Sequence, residues 1–555
     1  MYGTSARLLL ALISLHASDL AQGTDYSPSV LYNLTKNIES RTFDGSSNNK
    51  LFPTKGQRET VYTRTDSSGI NNEPPAGYTG DNKATWVTEL ESRNVGARFI
   101  SNTVNRQPAK LTHTCKEGAC KNSLFTTFGQ MCVLDMTHST SATEAYDIPI
   151  PSGDVQFDKA KTGSESYGFT RSKFVLNERS GVREQINSNT HFLDAEAVYG
   201  YNEAFATAIR KGTGGLLKTS DWGGVPEYSE AIHATMPPGM ANACPMVTGS
   251  SATIQTGRDG LYLSGNRRMN SLPQLVAVHT LFVREHNRRA NKILELHSDW
   301  TDEEIYQKAR AWVVALIQCV FYEEYLPLLI GTRVPAGKYD STVDPSVDIF
   351  AGTVGLRYGH SEIPSVYGGG TGAPVLRDSW FHPEDYVYNN ASFVKILTAM
   401  MESKQEVIDP YIVDDVRHYT FSCDGQPKHD LAARNIQRGR DNGLPSYVEA
   451  MRNYGLVPPA SIDDITTDET VRARLKLAYG EDGVASIDPW IGALSEQPVA
   501  PSALGPLMTK VLLKQFARTR NGECLFMIFV HVSIFISIVS FYRLRLHFVL
   551  CHSLS

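Results

Sequence analysis

Three stretches of this chain hold side chains whose types and spacing suit chemistry. His360 closes Arg357-Tyr358-Gly359-His360, at the end of an apolar helical run from Ile349 to Leu356. An imidazole can ligate a metal or exchange a proton near neutral pH. Asn435 opens Asn435-Ile436-Gln437-Arg438-Gly439-Arg440-Asp441-Asn442-Gly443-Leu444-Pro445. Gly265-Asn266-Arg267-Arg268 precedes Leu272-Pro273, His279-Thr280-Leu281 and Arg284-Glu285-His286-Asn287-Arg288. Singly, each is weak, because a lone histidine is more often a satisfied polar residue than a ligand. His279 and His286 stand seven apart, a spacing that invites a metal reading.

The elements that must carry these residues read as helices. Met269 to about His297 places Leu275, Val278, Phe282, Val283 and Ala290 at helical spacing. Thr301–Gly331 does the same through Ile305, Ala309, Val313, Ile317 and Val320; Thr301 with Glu304 has the form of a capping box, and Gly331 that of a C-cap. Further helices are expected over Ser392–Ser403 and Thr470–Tyr479. Strand patterns are short, and Gly/Pro/Ser-rich stretches at 65–80 and 362–376 read as loops. The fold class is therefore mainly α, in one large domain.

The 555 residues carry 53 basic and 59 acidic side chains, a net charge of −6, with no basic block. Binding to nucleic-acid phosphates is excluded as the main activity, and no fixed-period repeat suggests a solenoid. The N-terminus has the layout of a signal peptide over residues 1–23: Arg7, the apolar Leu8–Leu15, then small residues at Ala17, Ala21 and Gly23. Sequons at Asn33 and Asn390 fit a secreted glycoprotein. Cys115 and Cys120 enclose a short loop that reads as a local disulfide, with a metal half-site as the alternative. Near the C-terminus, Leu525–Tyr542 is uncharged and is followed by Arg543 and Arg545. About 18 helical residues span roughly 27 Å, just enough for a bilayer core. His531 and three serines weaken that span, so 524–555 reads as a membrane segment with a short tail or as an aberrant end.

Together the three stretches resemble the animal haem peroxidase superfamily. The HTLxxREHNR, RYGH and NIQRGRDxGLPxY segments occur in that order and spacing. The likeness runs from Phe43 to Gly522, through FDGSSNN, INSNTHFLDAEAVYG, IDPWIGALSE and QFARTR. It implies a helical domain over residues 24–523 with haem between central helices. By position, His360 is implied as the proximal ligand to haem iron, with Asn435 accepting its other ring N–H. Arg357 is implied to pair with a haem propionate, and Arg268 to be the distal arginine. Calcium is implied at Asp135, Thr190, the Phe192 carbonyl, Asp194 and Glu196, where hard oxygens suit the ion. His279 and His286 are expected to belong to a packed helix and to bind no iron.

The sequence departs from the family where the distal helix usually reads GQFxDHD. Here it is Gly129-Gln130-Met131-Cys132-Val133-Leu134-Asp135, so the distal histidine becomes Leu134 and the haem-linking aspartate Val133. The second haem-linking carboxylate aligns with Ser271. Haem b is therefore expected to be non-covalent. Leucine moves no proton, and general acid–base catalysis is worth about 10²–10⁴-fold. His138, four residues on, is expected on the same helix face but about one turn away, about 6 Å off. His138→Ala is thus expected to change any rate by less than about twofold. A fatty-acid dioxygenase of the superfamily is disfavoured, because Arg357 stands where those enzymes place a tyrosine.

The expected function is haem-dependent, H₂O₂-driven oxidation of a small electron donor, by a protein that is extracellular or anchored through 525–542. The alternative is a non-catalytic, dual-oxidase-like ectodomain that binds haem or Ca²⁺ and serves as an interaction module. Val133 and Leu134 favour the second, and His360 with Arg268 the first.

Overall fold

Asn122 starts the helix on which the site is built. Its side chain accepts from the Phe125 amide and caps α1 (Ser123–Met136). The computed structural model describes residues 40–66, 69–70, 84–108, 121–178, 180–219, 262–367, 374–420, 422 and 426–526. The signal segment, Asn33, the Cys115–Cys120 pair and residues 527–542 lie outside these. Gly129 in the middle of α1 has a packing reason, since a Cβ there would run into the Tyr325 ring hydroxyl. The helix ends at Met136, and Thr137 is extended (φ −139°, ψ 130°). His138 is therefore not on the face of α1 that carries Leu134, which corrects the expectation from i,i+4 spacing.

α2 (Pro273–Leu296) opens with proline at its first position, where the missing N–H costs nothing. It is buried on nearly all sides along its first half, His279 and His286 included. α3 (Asp302–Cys319) starts with the expected capping box of Thr301 and Glu304. Helix continues through a π turn at Val320–Tyr325 and on to Ile330, where Gly331 (φ 72°) stops it in the left-handed region. This Asp302–Ile330 stretch is long and apolar enough to cross a membrane, but its most apolar window, of mean hydropathy 1.6, is 78% buried inside the protein. It is a core helix packed on α2.

The run before His360 is not one helix. α4 (Ile349–Thr353) is capped by Asp348, a 3₁₀ turn follows at Gly355–Arg357, and α5 (Gly359–Glu362) carries His360. Glycines at 352, 355 and 359 weaken a continuous helix. A Cβ on Gly355 would come within 2.9 Å of Val511, so close packing there also demands glycine. Next come α6 (Asn390–Glu402), α7 (Leu431–Asp441), which carries Asn435, and α8 (Glu469–Tyr479). α9 (Pro506–Asn521) packs against the 3₁₀ turn. Asn390 is the first residue of α6, and its amide oxygen accepts from Arg284 at 3.0 Å.

Strands are short, as expected. Thr60–Val61, Arg183–Asn187 and Phe174–Leu176 form an antiparallel sheet in which Arg183–Asn187 is central. One contiguous apolar core runs from Phe43 to Phe516. Arg440 and Asp488 tie α7 into it with paired hydrogen bonds of 2.9 Å each, both side chains buried. Beyond α9, Leu525 is 8% exposed and the Phe526 ring lies 4.9 Å from that of Tyr322. The first two residues of the apolar C-terminal run thus pack on the protein body. Cys132, Cys319 and Cys524 are free thiols.

Candidate active site

α5 and α7 bring His360 and Asn435 together across 75 residues of chain. The Asn435 amide lies 2.7 Å from Nδ1 of His360. An amide's two ends exchange by a half-turn. With its oxygen toward the ring, Nδ1–H donates to it and Nε2 keeps a free lone pair, the tautomer a metal ligand needs. Burial, with Arg357 adding to it, lowers the imidazole to about 3, so the ring is neutral at pH 7.

His360 lines a cavity of about 290 Å³, just under the usual range of about 300–1,000 Å³ for ligand sites. Leu134, Leu356, Ile363, Trp380 and Leu431 supply apolar wall. Arg268, Arg357, Arg434 and Arg438 add guanidiniums. Among the described lining residues the single carboxyl is that of Glu362, pushed up to about 8 by burial and so largely protonated at pH 7. Arg438 pairs with Asp441 at 2.8 Å, whereas Arg357 and Arg434 have no ion-pair partner among the described residues. The cavity suits a flat apolar body that carries acidic groups.

The other functional wall comes from the end of α1 and the 3₁₀ turn Arg267–Ser271, where Asn266 caps the turn by accepting from the Arg268 amide at 3.1 Å. Arg268 donates from Nε to Asn266 Oδ1 (3.2 Å), from Nη1 to the Thr137 carbonyl (3.1 Å) and from Nη2 to the Leu134 carbonyl (2.7 Å). Burial lowers it to about 10, so it stays charged at neutral pH. Two of its five N–H groups remain uncommitted by these bonds. Val133, Leu134 and Ser271 all line the cavity, and none offers a carboxylate there. His138 lines it as well, with a buried Nε2 that has no hydrogen-bond partner.

Behind α1 sits an acidic cluster. Asp135 accepts from the Ala195 and Ala197 amides at 2.9 and 2.8 Å. Glu196 accepts from the Thr190 amide at 3.3 Å. Asp194 is buried with neither carboxylate oxygen in a hydrogen bond of good geometry, and the Thr190 hydroxyl is likewise unpartnered. Burial raises all three carboxyls, and their mutual repulsion adds to it for Asp135 and Glu196. Phe192 is fully buried beside them. Among the described residues, no three His, Cys, Asp or Glu side chains gather closely enough to hold a metal by themselves.

His286 is committed elsewhere: Nε2–H donates to the Gly215 carbonyl at 2.8 Å and Nδ1 accepts from the Tyr199 hydroxyl at 2.9 Å. His279 is buried within α2.

A family model described as animal haem peroxidase matches residues 40–535. The chain belongs to the animal haem peroxidase family. Its resemblance extends across whole proteins: it is 30% identical to peroxinectin A of Dictyostelium discoideum over 512 residues, covering 89% of this chain and 90% of that one. It is 28% identical to a dual oxidase of Drosophila melanogaster, covering 93% of this chain and 33% of that protein. The solved structure of peroxidase A from Dictyostelium discoideum superposes with a TM-score of 0.73 at 29% identity, covering 88% of this chain and 92% of that one. The family implies haem, and the cavity's neutral imidazole, apolar walls and unpaired guanidiniums fit it.

The sequence reading passed over Glu362, Arg434 and Arg438 as cavity residues. Arg438 lies one helical turn beyond Asn435, a spacing that could have pointed to it. Glu362 carried no signal, since its place on the wall follows from the break between α4 and α5.

Proposed function

We propose that the protein is a haem-dependent peroxidase that uses H₂O₂ to oxidise a small electron donor, slowed by the loss of its helical distal base. The observation that carries this reading is the 2.7 Å contact between Asn435 and His360 in the same cavity as Arg268. Bound haem would supply the electrons that split peroxide. His360 would hold its iron through Nε2, with Asn435 keeping Nδ1 protonated and the ring oriented. Arg357 would pair with a propionate. Arg268 would stabilise negative charge developing on a bound oxygen through its two free N–H groups. The haem would be non-covalent, because Val133 and Ser271 bring no carboxylate to the cavity.

Calcium belongs to the same reading, at Asp135, Thr190, the Phe192 carbonyl, Asp194 and Glu196. Its support is the pair of unpartnered Asp194 oxygens and the unpartnered Thr190 hydroxyl. The cation would brace α1 against residues 190–196. The protein acts outside the cell, secreted or anchored through 525–542. Given the packing of Leu525 and Phe526, such a span would start after Phe526.

The test is the optical spectrum of the purified holoprotein before and after one equivalent of H₂O₂. A ferric Soret band that shifts on peroxide addition supports the enzyme. A haem band indifferent to peroxide favours the second reading, a haem- or calcium-binding interaction module, to which Val133 and Leu134 point. A protein that takes up no haem sinks the enzyme reading. Partition of the full chain into detergent tests the anchor.

A further inference from the structure

His138 is the one imidazole besides His360 on the wall of the cavity among the described residues. It stands just past α1, after the extended Thr137 and not within the helix. Its main chain is pinned on both sides: its N–H donates to Asn187 Oδ1 at 2.9 Å, and its carbonyl accepts from the Ser188 amide at 2.7 Å. The preceding carbonyl, that of Thr137, accepts from Arg268 Nη1 at 3.1 Å. The ring is thus held in register with the guanidinium that shares its cavity.

We propose that His138 is the proton acceptor of this cavity, serving through its imidazole the role that Leu134 cannot serve from α1. This rests on the haem peroxidase reading above. The charged groups acting on the ring are Arg268, Arg58 and Arg357, all positive, and together with burial they keep it neutral at pH 7. A neutral ring has a lone pair to offer, and the same positive charges favour the anion left behind. In the step itself a neutral acid in the cavity, H₂O₂ or HCN, loses a proton to a ring nitrogen of His138. The O–H or C–H bond breaks with its electron pair staying on oxygen or carbon, and an N–H bond forms. Nothing is oxidised or reduced in that transfer, and Arg268 stabilises the new anion. This replaces the expectation from sequence spacing, which placed His138 on the helix and out of reach.

The test uses the holoprotein and two readouts, the association rate of cyanide and the rate of the Soret change with H₂O₂. Cyanide binds as its anion, so HCN must give up its proton, and its rate reports proton transfer without turnover. His138→Ala and His138→Phe, the second preserving bulk, are expected to slow both rates by tenfold or more with haem content unchanged. His138→Gln, which can hydrogen-bond but not accept a full proton, is expected to slow them similarly. Rates within twofold of wild type in all three variants overturn the proposal. Loss of haem from both His138→Ala and His138→Phe also overturns it, because the residue would then be structural. A wild-type protein without haem overturns the peroxidase reading and this proposal together, and the variants then never enter the comparison.

Discussion

Nη2 of Arg268 donates to the main-chain carbonyl of Leu134 at 2.7 Å, and the amides of Asn189 and Asn266 reach the same oxygen at 2.6 and 3.1 Å. Three donors on one carbonyl anchor the end of α1 through its backbone. The side chain at 134 takes no part in that anchoring.

Leu134→His should therefore restore a helical base without disturbing the scaffold. The expected result is a faster peroxide reaction, by about 10²-fold or more when His138 is also replaced by Ala so that no other base serves, with an unchanged haem spectrum. Stopped-flow absorbance checks the rate. A variant no faster than its parent in the His138→Ala background would mean that position 134 does not face the bound peroxide.

Asn435 should matter for haem affinity more than for folding. Partners that orient a metal-ligating histidine typically contribute about 10–100-fold in metal affinity. Asn435→Ala is expected to release haem to apomyoglobin about that much more readily, while His360→Ala should fail to retain it. Equal retention in Asn435→Ala and wild type would show that the amide does not set the ring's tautomer.

The acidic cluster predicts a stabilising cation. Three buried carboxyls raised by burial, with repulsion between them adding for Asp135 and Glu196, cost free energy until a cation neutralises them. Ca²⁺ at about 100 times its Kd should add roughly 2.7 kcal/mol, seen as a rise of several degrees in melting temperature over the chelated protein. Asp194→Asn should remove most of that rise. A melting curve indifferent to both chelator and calcium would refute the site.

Glu496 ties stability to pH far from the cavity. Its carboxylate accepts from the Tyr447 hydroxyl at 3.0 Å and the Leu507 amide at 2.9 Å, yet burial raises it from 4.5 to about 7. Below pH 4.5 the group is protonated in folded and unfolded chains alike and contributes no pH dependence. Between pH 4.5 and 7 the folded state holds the proton that the unfolded state has lost, so stability falls as pH rises. That difference corresponds to roughly 3 kcal/mol. Glu496→Gln can keep both contacts, with its oxygen on the Leu507 amide and its NH₂ toward Tyr447. It should gain stability over wild type at pH 8 and not at pH 4, as urea unfolding at the two values would reveal.

The helical architecture was legible in local chemistry. Thr301 with Glu304 and Gly331 marked the two ends of a helix because capping is satisfied within a few residues, whatever lies beyond. His360, Asn435 and Arg268 were legible as a set through their family motifs, since the residue types that can ligate, orient and stabilise charge are few. The break between α4 and α5 was only partly so: glycines at 352, 355 and 359 weaken the helix locally, whereas the close approach of Val511 on α9, which requires glycine at 355, is absent from any local window. His138 was misplaced for the same reason. Spacing assigned it to a helix, while hydrogen bonds with residues 187–188, and one from Arg268 to the neighbouring Thr137, all distant in sequence, hold it beyond the helix end at the cavity wall. Sequence by itself determined the elements and the chemistry available to them. Tertiary structure alone decided which groups face one another, because burial, charge and unpaired polar atoms arise only when distant segments meet.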